Sequence, residues 1–155
     1  MQFFEKNKFC RQALKIIYKY LPIVLFIAYP VLIGYVFFAK RSDIFKVILV
    51  PFGVFVTVTI LRKIINEKRP YQRYNIPSLF NKTTLGQSMP SRHTACAFII
   101  AMTILYINSL SGIIALSIAT LIALSRVFAG VHYVRDVFAG MCISVGAGII
   151  FFFLI

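Results

Sequence analysis

Residues 125–136 read Ser125-Arg126-Val127-Phe128-Ala129-Gly130-Val131-His132-Tyr133-Val134-Arg135-Asp136, and they stand between two apolar runs, Leu110 to Phe128 and Val137 to Ile155. Each run is about the 20 residues that a helix needs to cross the hydrocarbon of a bilayer. The short stretch between them is therefore the tip of a membrane helical hairpin. Two basic residues, a histidine and an aspartate crowd that tip. Ionisable groups are costly in or beside a membrane, so such a cluster marks a functional site by default.

Working outward, the rest of the chain has the same character. Of its 155 residues, 60% are hydrophobic, well above the share in a soluble globular domain. Three further spans precede the hairpin: Leu21 to Ala39, Ile44 to Leu61 and Thr94 to Ile107. The pattern predicts a single all-α integral membrane domain over residues 1–155, with about five transmembrane helices. The third span is short and must borrow its flanks. Ahead of the first span, Phe3 to Tyr20 mixes Phe4, Phe9, Leu14, Ile17 and Tyr18 with Lys6, Lys8, Arg11, Lys15 and Lys19. That mixture predicts an amphipathic interfacial helix over residues 1–20, acting as an anchor with no part in chemistry. No small-residue cleavage site follows the first apolar run, so the segment does not read as a cleaved signal peptide.

The formal charge is +13. A basic chain that binds nucleic acid carries its charge on a soluble face. Here the basic residues sit at the edges of apolar spans, which excludes nucleic acid and favours anionic lipid or phosphate. Cys10, Cys96 and Cys142 have no metal or redox spacing. The one long polar connection runs from residue 62 to residue 92. Because spans alternate in direction, Arg62, Arg69, His93, Arg126, His132 and Asp136 all fall on one side of the membrane.

Those residue types suit phosphoryl chemistry. His132 and Asp136 are four apart, so on a helix their side chains can meet. A carboxylate that accepts one ring N–H leaves the other imidazole nitrogen with its lone pair free, the arrangement of an activated nucleophile. Pro90-Ser91-Arg92-His93 opens a span, with Ser91 as the expected N-cap. The N–H groups of a first helical turn attract anions, and His93 projects from that turn as a general acid. Arg62, Arg69 and Arg126 carry planar guanidinium forks that match phosphate oxygens. Lys63 is an alternative to Arg62 at the first position. Each feature alone has a structural explanation, as a capped helix, a surface pair or an interfacial flank. Their joint occurrence on one membrane face is what points to a site.

Three motifs in order carry a resemblance: Arg62-x6-Arg69-Pro70, then Pro90-Ser91-Arg92-His93, then Ser125-Arg126-x5-His132-x3-Asp136. The chain resembles the type 2 phosphatidic acid phosphatase superfamily, which includes the vanadium haloperoxidases and carries Lys-x6-Arg-Pro, Pro-Ser-Gly-His and Ser-Arg-x5-His-x3-Asp. The third motif matches in full. The resemblance implies a helical membrane bundle and a phosphohistidine formed on His132, with Asp136 orienting that ring. It implies that His93 protonates the leaving group and that Arg62, Arg69, Arg126, Ser91 and the N–H of Arg92 hold the phosphoryl oxygens. It implies no metal and no cofactor, and no obligate protein partner is expected. Arg62 stands where the family has lysine, and Arg92 where it has glycine; Arg92 has the reach to meet a second phosphate.

The membrane setting favours a lipid phosphate as substrate: phosphatidylglycerophosphate, phosphatidic acid or an isoprenyl pyrophosphate such as undecaprenyl pyrophosphate. A basic pocket would also suit an anion transporter or a lipid-binding scaffold, but neither needs an oriented nucleophile. The side holding the three motifs, with the N-terminal segment, has fourteen of the 17 basic residues; Lys40, Arg41 and Lys46 are on the other. Positive charge concentrates on the cytoplasmic side of membrane proteins, which predicts a cytoplasmic site in a multi-pass cell-membrane protein. A cysteine placed at Asn75 should resist an impermeant thiol reagent in intact cells beyond the background of the native cysteines. Labelling of that cysteine from outside reverses the orientation.

Overall fold

A computed structural model describes residues 7–39, 41–76, 78–80 and 82–155, with the backbone alone for Arg41. The helices are α1 (Lys8–Ala39), α2 (Ile44–Ile65), α3 (Pro70–Arg73), α4 (Arg92–Ile107), α5 (Ser109–Phe128) and α6 (Val134–Gly148). A 3-10 turn at Arg41–Asp43 precedes α2, and wider π-helical turns at Ile149–Leu154 continue α6. Helices α1, α2, α5 and the continued α6 are long and apolar enough to cross a membrane, and α4 is a shorter apolar helix. The expected all-α membrane bundle is what the described residues form, with four helices of spanning length and the shorter apolar α4.

The expected boundary between the interfacial segment and the first span is absent from the backbone. Helix α1 is continuous over 32 residues, through Pro22 and Pro30; Phe3 to Lys6 and Lys40 lie outside the described residues. At 1.5 Å per residue it is about 48 Å long, more than the hydrocarbon requires. The change from basic to apolar sequence marks where the helix crosses the interface, and helical hydrogen bonds continue across it.

Prolines in these helices leave carbonyls without their usual donor four residues on, and in lipid another helix must supply one. Pro51 frees the carbonyl of Val47, and the Tyr29 hydroxyl of α1 donates to it at 2.8 Å. Pro22 likewise frees the carbonyl of Tyr18, and Arg126 of α5 donates to it through Nη2 at 3.0 Å.

Helix α4 is the axle of the bundle. Every residue from Thr94 to Thr103 is buried, and a helix that is hydrophobic all round belongs in an interior. That position explains why 16 residues suffice: the surrounding helices, not α4, meet the lipid. Val31, Phe38, Phe52, Ile113, Leu124 and Phe138 on those helices face outward, as lipid permits. Around α4 the two longest apolar contacts are with α5, which returns after a tight turn at Asn108, and with α6.

The α4–α6 seam is made of small residues. A Cβ on Gly140 would stand 2.7 Å from the Ser91 carbonyl oxygen. One turn on, Ser144 Oγ donates to the Ala95 carbonyl at 2.8 Å. Small residues let membrane helices approach closely where no hydrophobic force drives them together. Gly140→Ala should therefore lower the thermal midpoint in detergent, at a cost of about 1–3 kcal/mol for overpacking. Gly146→Ala meets nothing within 4 Å and should be neutral or slightly stabilising through helix propensity. Equal midpoints for the two variants would contradict this account of the seam.

Candidate active site

The three motifs meet at one end of the bundle. Arg62, in the last turn of α2, is buried and donates through Nη1 to the Pro90 carbonyl at 3.0 Å. Lys63 beside it is exposed, so Arg62 is the residue that turns inward. Arg69 is buried and donates through Nε to the Gly86 carbonyl at 3.1 Å. The carbonyl it uses is presented by a turn that only glycine fits readily. Gly86 has φ of 61°, and a Cβ there would stand 2.6 Å from Asn66 Oδ1 at the end of α2. Gln72 braces the same turn, its Oε1 accepting from the N–H of Gly86 at 2.8 Å and of Arg69 at 3.1 Å.

Ser91 occupies the N-cap position of α4, as expected, yet its side chain makes no capping bond. Its Oγ accepts from Thr94 Oγ1 at 3.0 Å, and its N–H donates to the Asp136 carbonyl at 2.8 Å. The serine is wholly buried; its hydroxyl stays within α4, and its N–H makes the tie to α6. Arg92 is exposed, with its guanidinium 5.9 Å from the Phe55 ring centre on α2. Its charge reaches Arg62 and His93 from the rim of the site. His93 is half-buried in the first turn of α4, within electrostatic reach of Arg126, His132 and Lys82.

His132 lies in the hinge between α5 and α6, and Asp136 in the first turn of α6. Both are buried, at 3% and 0% exposure. Asp136 Oδ2 accepts from Ser88 Oγ at 2.5 Å and from the Tyr133 N–H at 3.0 Å. The second bond is the N3-to-N-cap half of a capping box. His132 Nδ1 faces the same oxygen across 3.5 Å. That is longer than a good hydrogen bond, and among the described residues Nδ1 has no closer partner. Hydrogen bonds of this kind are commonly long in ligand-free sites and tighten when substrate arrives. With Nδ1 turned to the carboxylate, Nε2 is the nitrogen left to react. Arg126 is 4% exposed, with Nη2 on the Tyr18 carbonyl and a buried Nε that has no partner among the described residues.

The residues singled out in the sequence lie together at this end of the bundle, and the structure adds supports that the sequence did not show. Ser88 and Gly86 touch motif residues and carry no signal of their own, because each contact is made across the loop; Gln72 meets Arg69 locally, three residues on. Lys82 is another addition from the same loop. Tyr18 belongs to the segment expected to act only as an anchor, and it contacts Arg126. The usable signal was Pro22, which frees the carbonyl four residues before it.

Residues 43–155 match the family model described as the PAP2 superfamily. The chain belongs to that superfamily. It is a membrane phosphatase. Among solved structures it is similar to LpxE of Aquifex aeolicus, at 28% identity and a TM-score of 0.75, over 89% of this chain and 84% of that one. It is also similar to the first transmembrane PAP2 type phosphatidylglycerolphosphate phosphatase from Bacillus subtilis, at 27% identity and a TM-score of 0.63, over 96% and 75%. No curated protein sequence matches it. Helix α1 lies ahead of the segment that the family model covers.

Burial pushes the His132 imidazole below its ordinary value; Asp136 opposes that, while Arg69 and Arg62 add to it. A lowered value means that the ring stays neutral, and so nucleophilic, as pH falls through the ordinary histidine value of about 6.5. With an aryl phosphate, whose leaving group needs no proton, the acid limb of phosphoenzyme formation should fall below that pH once the substrate's own ionisation is corrected for. An acid midpoint at or above it contradicts the burial of a neutral His132.

Proposed function

We propose that this PAP2 phosphatase hydrolyses a lipid phosphomonoester or pyrophosphate through a phosphohistidine on His132. The observation that carries the proposal is the buried His132–Asp136 pair, with Nδ1 directed at the carboxylate and three buried arginines around it. Nε2 attacks the terminal phosphorus with its lone pair as the bond to the leaving oxygen breaks, the lipid alkoxide oxygen of a monoester or the bridging oxygen of a pyrophosphate. The leaving oxygen takes a proton from His93. Charge building on the three equatorial oxygens meets Arg62, Arg69 and Arg126, donors fixed in place before the reaction. Water then attacks the phosphohistidine, giving its proton to His93 and returning Nε2 its electron pair. Phosphate leaves, and His93 is again protonated for the next cycle. Asp136 holds the Nδ1 proton throughout and does not itself transfer it.

The proposed substrate class rests on where the site opens. Arg62 and Arg126 lie at the ends of spanning helices, where a headgroup lies while its chains remain in lipid. The resemblance to a phosphatidylglycerolphosphate phosphatase favours a glycerophospholipid monoester. Isoprenyl pyrophosphates remain in the proposed class because Arg92 and Lys82 add positive charge at the rim. We also place the site on the cytoplasmic side, supported by the basic end of α1, which reaches Arg126 through Tyr18.

Purified protein in detergent should release phosphate from phosphatidylglycerophosphate, phosphatidic acid or an isoprenyl pyrophosphate. The activity should survive chelator and be blocked by orthovanadate, an analogue of the five-coordinate transition state. His132→Ala should abolish it. A fully active His132→Ala protein, or activity lost on chelation and restored by a divalent cation, would sink the mechanism.

A further inference from the structure

Among the described residues, Arg126 is the site arginine whose hydrogen bond reaches α1. Its Nη2 donates to the Tyr18 carbonyl at 3.0 Å, and its guanidinium carbon lies 4.0 Å from the centre of the Tyr18 ring. The carbonyl is available because Pro22, four residues on, has no N–H to offer it. The ring is itself held. Phe80 packs against it at 4.9 Å between centres and 45° between planes. Beside Phe80, the N–H of Leu79 donates to the carbonyl of Ala129, just past the end of α5. Tyr18, the Leu79–Phe80 turn and the end of α5 thus form a closed triangle around the guanidinium. Tyr18 grips Arg126 twice, through a hydrogen bond to its carbonyl and through its ring face. Nε is buried and without a partner among the described residues.

We infer that Tyr18 is a positioning residue for Arg126, and that α1 thereby belongs to the phosphate-binding apparatus. The inference rests on the proposed role of Arg126 in holding phosphoryl oxygens. A guanidinium with one donor fixed and one face stacked has few rotamers left, so its free edge is already oriented when the anion arrives. Preorganisation of this kind raises affinity because less ordering remains to be done on binding. A cation on an aromatic face in a buried setting is a substantial restraint.

The test uses the full chain in detergent and titrates inorganic orthovanadate by calorimetry. Tyr18→Leu keeps apolar bulk and the backbone carbonyl but removes the ring face. It should weaken vanadate binding about five- to tenfold, in line with loss of a buried cation–π contact. Tyr18→Phe, which keeps the face, should bind within about twofold of the parent. In an Arg126→Ala background, Tyr18→Leu should have no further effect, a result that general loosening of the bundle would not give. Should Tyr18→Leu fail to fold, Pro22→Ala carries the test. It restores an N–H that competes for the Tyr18 carbonyl and improves the helix, so it should weaken vanadate binding while leaving the thermal midpoint equal or higher. Unchanged affinity in the folded variant, or an equal loss with and without Arg126, overturns the inference. If Arg126→Ala alone leaves vanadate affinity intact, the reading of the site falls with it.

Discussion

One carboxylate joins the parts of this protein that are far apart in sequence. Asp136 Oδ2 receives the hydroxyl of Ser88 from the long loop and the N–H of Tyr133 from the hinge, and it faces Nδ1 of His132. Its backbone carbonyl receives the N–H of Ser91 at the start of α4. A buried carboxylate without partners is severely unfavourable, and one that accepts charge-assisted hydrogen bonds is not. The loop, the hinge and two helix starts are therefore held in one register by the same residue. Oδ1 of the same carboxylate has no hydrogen-bond partner among the described residues, so the ties of loop and hinge to the charge run through Oδ2 alone, and losing either donor would loosen the junction.

The membrane sets the second constraint. Backbone groups in hydrocarbon must find partners within the protein, and the prolines of α1 and α2 create carbonyls that lack them. Two are answered across helices, by Tyr29 at Val47 and by Arg126 at Tyr18. Such bonds fix helix against helix where lipid offers no hydrophobic gain on association. The Gly140 approach to Ser91 serves the same end by contact. Helix α4 can then be short and fully enclosed, carrying His93 into the site from its first turn. The catalytic end of the bundle inherits its precision from contacts that the bilayer makes obligatory.

Much of this was legible in the sequence. Apolar runs of spanning length located α2, α5 and α6, because in a bilayer composition alone nearly dictates helix. Alternation of those spans put Arg62, Arg69, His93, Arg126, His132 and Asp136 at one end, where the structure holds them. What composition could not give was the continuity of α1, since a change from basic to apolar residues looks like a boundary and the helical backbone ignores it. Ser91 was expected to cap α4 with its side chain; that hydroxyl instead meets Thr94, and capping of the Asp136 kind occurs at α6. Ser88 lies 48 residues from the carboxylate it serves, and no local pattern reports a contact of that range. The choice between Arg62 and Lys63 needed the actual direction of the side chains, about 100° apart around α2.

The most direct test of this account is the single-turnover rate of phosphoenzyme formation in Asp136→Asn. The amide keeps the shape of the side chain and can still accept from Ser88 and Tyr133 through its oxygen. It cannot hold the Nδ1 proton against the charge that develops on His132. The account predicts a protein that folds and binds vanadate but forms phosphohistidine slower by a factor on the order of 100 or more, as loss of an oriented charge partner to a catalytic histidine does elsewhere. A parental rate in a folded Asp136→Asn protein would contradict it, and the carboxylate would then be a structural tie with no part in activating His132.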